Sequence, residues 1–328
     1  MTYVPDDWLL WDFWFAPRHE GDDGLFHLFH LAAPRSLPDP EMRHRRARIG
    51  HAVSRDLVNW EPRGIVFEAG PEGEWDDLAI WTGSIVRHDG KYWFFYTAVE
   101  KRTLTRTQRV GVATSTDLQH WERHPANPVL TADPRWYETA ERNDGGDEPF
   151  RDPMVVRDDA AGCWWMFVCA FSRFGPDDGR GVVALARSTD LVHWESLPPV
   201  GEPNVYGELE VPVAVQVGDR WRLVFCTQKH AAAAVERPGL PGPWRGSHYL
   251  DGDSLAGPYR VVEGPPLLAG ERNDWYAARI ETALTGEPLF FAWRQFDENG
   301  AFVYGLSNPV PVEVDPDGRL RIDPGLLW

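Results

Sequence analysis

The sequence predicts an all-β fold, a five-bladed β-propeller with four-stranded antiparallel blades, on three observations. A short aromatic strand recurs five times: Phe26 to Ala33, Tyr92 to Val99, Trp164 to Phe171, Trp221 to Gln228 and Pro288 to Gln295. Successive starts are 66, 72, 57 and 67 residues apart, the period of a repeat in which each unit is one small antiparallel sheet. A second phrase recurs as IGHAVSRDLVNWE (Ile49 to Glu61), VGVATSTDLQHWE (Val110 to Glu122) and VALARSTDLVHWE (Val183 to Glu195). Amphipathic helical periodicity is nearly absent; the nearest candidate, His230 to Arg237, is short and ends at Pro238.

Five units consume all 328 residues as one domain, with blades expected at 8–70, 75–135, 148–203, 204–268 and 272–325. In each, the first strand should line the central axis and the aromatic strand should follow it. The repeated phrase reads as a third strand, a side-chain-bonded turn and a short outer strand. Asp56, Asp117 and Asp190 then bond turn amides, and Trp60, Trp121 and Trp194 fill gaps between blades. Three insertions interrupt the pattern: the strongly basic Pro34 to Arg48, Glu138 to Glu148, and Lys229 to Leu250. The basic insertion is expected to be a solvated loop, to close over the central funnel or to meet another subunit; the third could wall one side of a site.

Composition narrows the partners. A net charge of −17 repels phosphate backbones and anionic lipid, which disfavours nucleic acid and membranes and favours a neutral ligand. Cys163, Cys169 and Cys226 lie in or beside apolar strands, are odd in number and have no metal-ligand spacing, so neither a disulfide framework nor a metal is expected. The N-terminus lacks a basic stretch before its apolar residues, and no apolar run is long enough to cross a bilayer; the expectation is a protein of the reducing cytoplasm.

Three acids stand where buried first strands should carry none: Asp12, Asp152 and Glu210, each 11 to 14 residues ahead of an aromatic strand. Radial packing should bring them together at one end of the axis. Burying unpaired carboxylates costs several kcal/mol, on the order of the handicap that only function offsets. The structural alternatives are a turn aspartate at Asp12 and an Arg151–Asp152 ion pair. Glu208 shares a strand face with Glu210 by period two and is a second candidate acid. Converging carboxylates suit glycosidic cleavage, in which one acid protonates the leaving oxygen and one carboxylate works on the other face of the sugar; no cofactor is needed. Aromatic faces beside hydroxyl donors suit a sugar ring, which points to Trp11, Trp14, Trp81 and Ser84 as binding candidates.

These phrases resemble glycoside hydrolase family 32, the invertase, levanase and inulinase group of five-bladed propeller glycosidases. Gly50 to Glu61 is similar to an early family signature, Trp75 to Ser84 to its Trp-Ser-Gly-Ser phrase, Phe150 to Val155 to its Arg-Asp-Pro motif, and Glu208 to Pro212 to its Glu-Cys-Pro motif, with Val211 for Cys. The resemblance implies Asp12 as nucleophile, Asp152 as transition-state stabiliser and Glu210 as acid/base of a retaining mechanism. It implies a small oligosaccharide substrate, a β-D-fructofuranoside, that is hydrolysed or passed to an acceptor. Departures bear on the sugar: Asp12 sits in Trp-Asp-Phe-Trp-Phe rather than Asn-Asp-Pro-Asn-Gly, and the apolar phrase Phe29 to Pro34 and Ile49 lie where the family has a Gln and a Trp. The chain ends at Trp328, so the C-terminal β-sandwich usual in the family is not expected. The alternatives are an inverting arabinofuranosidase or xylosidase of the same clan, a non-catalytic sugar-binding propeller, and a phosphorolytic enzyme using His51, Arg151 and Arg279.

Overall fold

The computed structural model describes residues 3–141, 146–201, 205–228, 239, 244–270, 272, 274–282 and 284–328. Blade I holds β1 (Trp8–Phe15), β2 (Phe26–Pro34), β3 (Arg48–Ser54) and β4 (Trp60–Phe67); blade II holds β5 (Ala79–His88), β6 (Lys91–Val99), β7 (Gln108–Ser115) and β8 (Glu122–Arg123). Blade III holds β9 (Phe150–Asp158), β10 (Cys163–Phe171), β11 (Gly181–Ser188) and β12 (Glu195–Val200). Blade IV holds β13 (Glu210–Val217), β14 (Arg220–Thr227), β15 (Arg245–Gly252), β16 (Tyr259–Val261) and β17 (Leu268–Gly270). Blade V holds β18 (Trp275–Glu281), β19 (Leu289–Phe296), β20 (Phe302–Leu306) and β21 (Val310–Pro311), and β22 (Glu313–Val314) pairs with β23 (Leu320–Arg321) as a separate hairpin. Every aromatic repeat is the second strand of its blade, β2, β6, β10, β14 or β19. The nearest helical candidate, His230 to Arg237, and most of the third insertion (229–238 and 240–243) lie outside the described residues.

The first strands form a ring, β1 against β5, β5 against β9, β9 against β13, β13 against β18 and β18 back against β1. Closure of the ring is reinforced by the N-terminal segment. Leu306 N donates to Tyr3 O at 2.8 Å, and Arg35 reaches from blade I to Val303 O and Tyr304 O. The repeated phrase is architectural as expected. Asp56, Asp117 and Asp190 each accept two backbone amides within the turn, and the Leu that follows each takes φ of 63°, 64° or 67°, allowing the chain to reverse in so few residues.

All five innermost strands share one irregularity. Where each pairs with its aromatic strand, the register skips a residue: around Asp12 in β1, Thr82 in β5, Asp152 in β9, Val211 in β13 and Ala277 in β18. A bulge places two residues opposite one and re-aims a side chain that strict alternation would have sent elsewhere. Three of these residues sit at positive φ, Asp152 at 61°, Val211 at 49° and Ala277 at 46°, a conformation that costs a non-glycine residue on the order of 1–3 kcal/mol. Five bulges at one level of the ring turn five side chains or backbones toward the axis, and that level is where the acids are.

Candidate active site

The three predicted carboxylates meet. Asp12, Asp152 and Glu210 line a single cavity of about 440 Å³ at the end of the axis formed by the N-terminal halves of the inner strands. Asp12 is held by neutral donors from two other blades: Thr82 Oγ1 donates to Oδ2 at 2.5 Å and Trp293 Nε1 to Oδ1 at 3.2 Å. Asp152 accepts Val211 N–H at 3.1 Å, and its own N–H donates to Thr97 Oγ1 at 2.7 Å. Glu210 is clamped between a cation and a phenol, with Arg151 Nη2 donating at 2.6 Å to one oxygen and Tyr276 OH donating to the other.

The electrostatics differ among the acids. Burial pushes Asp12 up from its ordinary value; the Thr82 hydrogen bond opposes that shift, and the Glu210 charge adds to it. Burial pushes Asp152 up to about 7, against the downward pull of Arg151 and with the help of Asp12 and Glu210. Arg151 is the common counter-ion, 2.6 Å from Glu210, 3.7 Å from Asp152 and 3.7 Å from Glu208, with its side chain only 14% exposed. Replacing it with Met strands those carboxylates without a cation, and the expected cost is about 3–5 kcal/mol of stability at neutral pH. Urea unfolding at pH 7 checks this. A loss below about 1 kcal/mol would show that the carboxylates do not depend on Arg151.

Of the other predicted residues, Trp11 and Trp81 line the cavity, and Trp81 Nε1 donates to His44 O at 2.7 Å. Glu208 is buried beside the site, with its carboxylate 3.7 Å from Arg151. Three expectations are corrected. Trp14 is fully buried and stacked on Phe94, with ring centroids 5.4 Å apart, because the bulge at Asp12 leaves it facing the interior between blades. Ser84 lies beyond the bulge at Thr82; its Oγ accepts Val155 N–H at 3.0 Å, and it lines a separate cavity of about 550 Å³ at the other end of the tunnel. His51 is buried away from the cavity, stacked on Phe29 and 3.0 Å from His27 Nδ1. Arg279 also faces the far cavity, paired with Glu281, so of His51, Arg151 and Arg279, the three residues named for phosphorolysis, only Arg151 is at the carboxylate cavity.

Residues not anticipated complete the site. Thr82, Tyr276 and Trp293 hold the carboxylates, and the basic insertion folds inward as a short 3-10 helix, Pro40–Arg45, bringing Glu41, Arg43 and His44 to the cavity. For Thr82 a signal existed in the Trp-Thr-Gly-Ser phrase, in which it lies between the two binding candidates Trp81 and Ser84. For the insertion the signal was its basic charge, and of the expectations for it, closing over the funnel is the one that matches Glu41, Arg43 and His44 at the cavity; for Tyr276 there was none. Among the described residues, no group of three or more His, Cys, Asp or Glu is arranged to hold a metal ion.

Comparison with known proteins agrees with the fold. Residues 21–302 match the glycosyl hydrolases family 32 N-terminal domain; β1 and Asp12 precede the matched segment. An insoluble β-fructofuranosidase isoenzyme of Arabidopsis thaliana is 28% identical over 58% of this chain and 30% of its own length. A sucrose:sucrose 1-fructosyltransferase of Festuca arundinacea is 31% identical over 53% of this chain and 24% of its own length. The matched segments thus span under a third of either relative. A solved inulosucrase from Halalkalicoccus jeotgali bound to kestose superposes with a TM-score of 0.76 at 26% identity, covering 98% of this chain and 90% of that one.

Proposed function

The chain belongs to glycosyl hydrolase family 32, and from that premise we propose that it cleaves a β-D-fructofuranosyl unit from a small oligosaccharide with retention of configuration, passing it to water or to an acceptor sugar. The observation that carries the reading is the convergence of three sequence-remote carboxylates on one cavity, each held differently. Asp12, gripped by neutral donors, is the nucleophile: its oxygen bonds to the anomeric carbon as the glycosidic C–O bond breaks. Glu210 protonates the departing oxygen, then takes a proton from the water or hydroxyl that releases the sugar from Asp12. Asp152 accepts hydrogen bonds from ring hydroxyls that strengthen as the ring flattens. Trp11 and Trp81 supply apolar faces to the sugar. Leu31 lines the cavity as well, so this wall of the pocket is less polar than the family pattern, which favours a substrate gripped mainly from the carboxylate side. Three unpaired, buried cysteines support a reducing compartment, and we place the protein in the cytoplasm.

The test is the first product released from sucrose, kestose and inulin oligomers, followed by NMR before mutarotation. β-Fructofuranose appearing first is the expected result; the α-anomer appearing first would replace retention with inversion. Turnover of arabino-oligosaccharides but not of any fructoside would move the enzyme to the clan's other substrate class. Binding without turnover of any sugar would leave only a lectin-like role.

A further inference from the structure

The insertion from Pro34 to Arg48 contributes a charge to the site as well as a wall. Asp39 caps its helix, accepting Glu41 N–H at 2.9 Å, and the tight turn sends Arg43 inward, where its side chain is 7% exposed. The guanidinium lies 5.9 Å from the Trp11 ring centre and 5.5 Å from that of Tyr304. Behind Tyr304 the indole of Trp293 is stacked nearly parallel, centroids 5.7 Å apart, and it is Trp293 Nε1 that donates to Asp12. Trp11, the other ring under the guanidinium, precedes Asp12 in the chain. Arg43 therefore lies within cation–π range of Trp11, the chain neighbour of Asp12, and of Tyr304, the ring stacked on the Trp293 indole that bonds Asp12.

Its own bonding is thin for a structural arginine. Nη1 donates to Pro40 O at 3.2 Å and to Glu41 Oε1 at 2.5 Å, but Glu41 is 60% exposed, and Arg43 Nε is buried with no hydrogen-bond partner. Buried polar groups that serve only the fold are normally satisfied. We infer that Arg43 is a positioning residue for Asp12: its cation braces the Trp11, Tyr304 and Trp293 cage and opposes the build-up of negative charge around that carboxylate. The inference rests on reading Asp12 as the nucleophile.

The surroundings of Asp12 define what Arg43 must offset. Glu210 faces Asp12 from β13 and Asp152 from β9, with Arg151 beside Asp152 and committed to Glu210. Tyr276 comes from β18, and Thr82 and Trp293 are neutral. From the insertion come Glu41, Arg43 and His44, and His44 is pushed down to about 4 by burial and by Arg43, so it carries no charge at neutral pH. Burial and the Glu210 charge push Asp12 toward its neutral form; the Thr82 hydrogen bond and, as the cation among its neighbours, Arg43 oppose them.

The experiment uses the full chain and two readouts. Aspartate labelled with carbon-13 at Cγ is titrated by NMR in the parent protein, Arg43→Met, Arg43→Lys and Glu41→Gln, with Asp12→Asn assigning the signal. In Arg43→Met the Asp12 midpoint is expected to rise by about one unit, a tenfold change in ionisation. In Arg43→Lys it should move less. In Glu41→Gln, at an exposed position, it should fall, because the acid that partly neutralises Arg43 is gone. On a fructooligosaccharide, the acid limb of kcat/KM should follow the same order, with kcat of Arg43→Met down about tenfold and KM within about threefold. An unmoved Asp12 midpoint in a folded Arg43→Met overturns the inference, as does an effect on KM alone. Should Arg43→Met fail to fold, a midpoint in Glu41→Gln that stays or rises overturns it. Absence of any fructoside turnover in the parent protein defeats the proposed function, while the titration still decides whether Arg43 and Asp12 are coupled.

Discussion

Asp12→Asn is expected to lower turnover of any fructoside by about 10⁴-fold or more, the scale on which loss of a covalent nucleophile is measured. The amide keeps the size of the carboxylate; its oxygen can accept from Trp293 Nε1 while its NH2 donates to the Thr82 hydroxyl, so binding of kestose by calorimetry should survive within a few-fold. A residual kcat within about tenfold of the parent would remove Asp12 from the reaction. The same change is expected to stabilise the fold at neutral pH. A carboxyl whose native pKa is raised favours the folded state fully below its unfolded pKa and loses that contribution as pH climbs through the native value. Asp152, raised from 3.8 to about 7, gives the clearest window. The parent protein should lose stability between about pH 4 and 7, and Asp152→Asn should flatten that part of the profile. Each amide variant should gain about 0.5–2 kcal/mol at pH 7.5, the usual trade between stability and function. Thermal melts across that pH range check the sign; a parent profile that rises through the window would refute it.

Glu210→Gln is the second large effect, and leaving groups make it specific. An acid that protonates the departing oxygen contributes about 10²–10⁴-fold where the leaving group is a sugar alkoxide. An aryl furanoside departs with little need of a proton, so its first step should fall much less, and the slow step should become release from Asp12. The expected pattern is a severe loss on sucrose or kestose together with a pre-steady-state burst on a nitrophenyl fructoside. Equal losses on both substrates would mean that Glu210 acts by position or charge and not as the proton donor. Glutamine also breaks the ion pair with Arg151 at 2.6 Å, so some stability loss should accompany the kinetic one. Arg151 retains Asp152 and Glu208 nearby, which limits that loss.

The repeat was legible because each aromatic strand pairs on both edges within its blade and must bury both faces against the neighbouring blades, so bulky apolar residues recur at every unit. The turn phrase was legible for a similar reason: Ser, Asp, Leu and Trp each meet a local demand, and Trp60 and Trp194 close the motif by donating to the carbonyls of Leu57 and Leu191 at 3.2 Å. Asp12, Asp152 and Glu210 stood out as charges in strands that should exclude them. Two of the errors share one origin. Trp14 and Ser84 were assigned on the assumption of unbroken surroundings, yet both follow a bulge, where an extra residue alters which side chain faces the axis. His51 was chosen by residue type, and its ring turns out to serve the packing of Phe29 against blade II.

By itself the sequence determined the five-fold division, the strand that leads each blade and the acids that belong at the axis, because these are set by local periodicity and by the cost of burying charge. Tertiary structure alone decided which neighbours meet those acids. Thr82, Tyr276, Trp293 and Arg43 come from two different blades and an insertion, and closing the ring brings them within hydrogen-bonding or charge range of Asp12 and Glu210. Spacing along the chain carries no record of that proximity; it follows from the angle at which each blade packs on the next and from five bulges at one level of the axis.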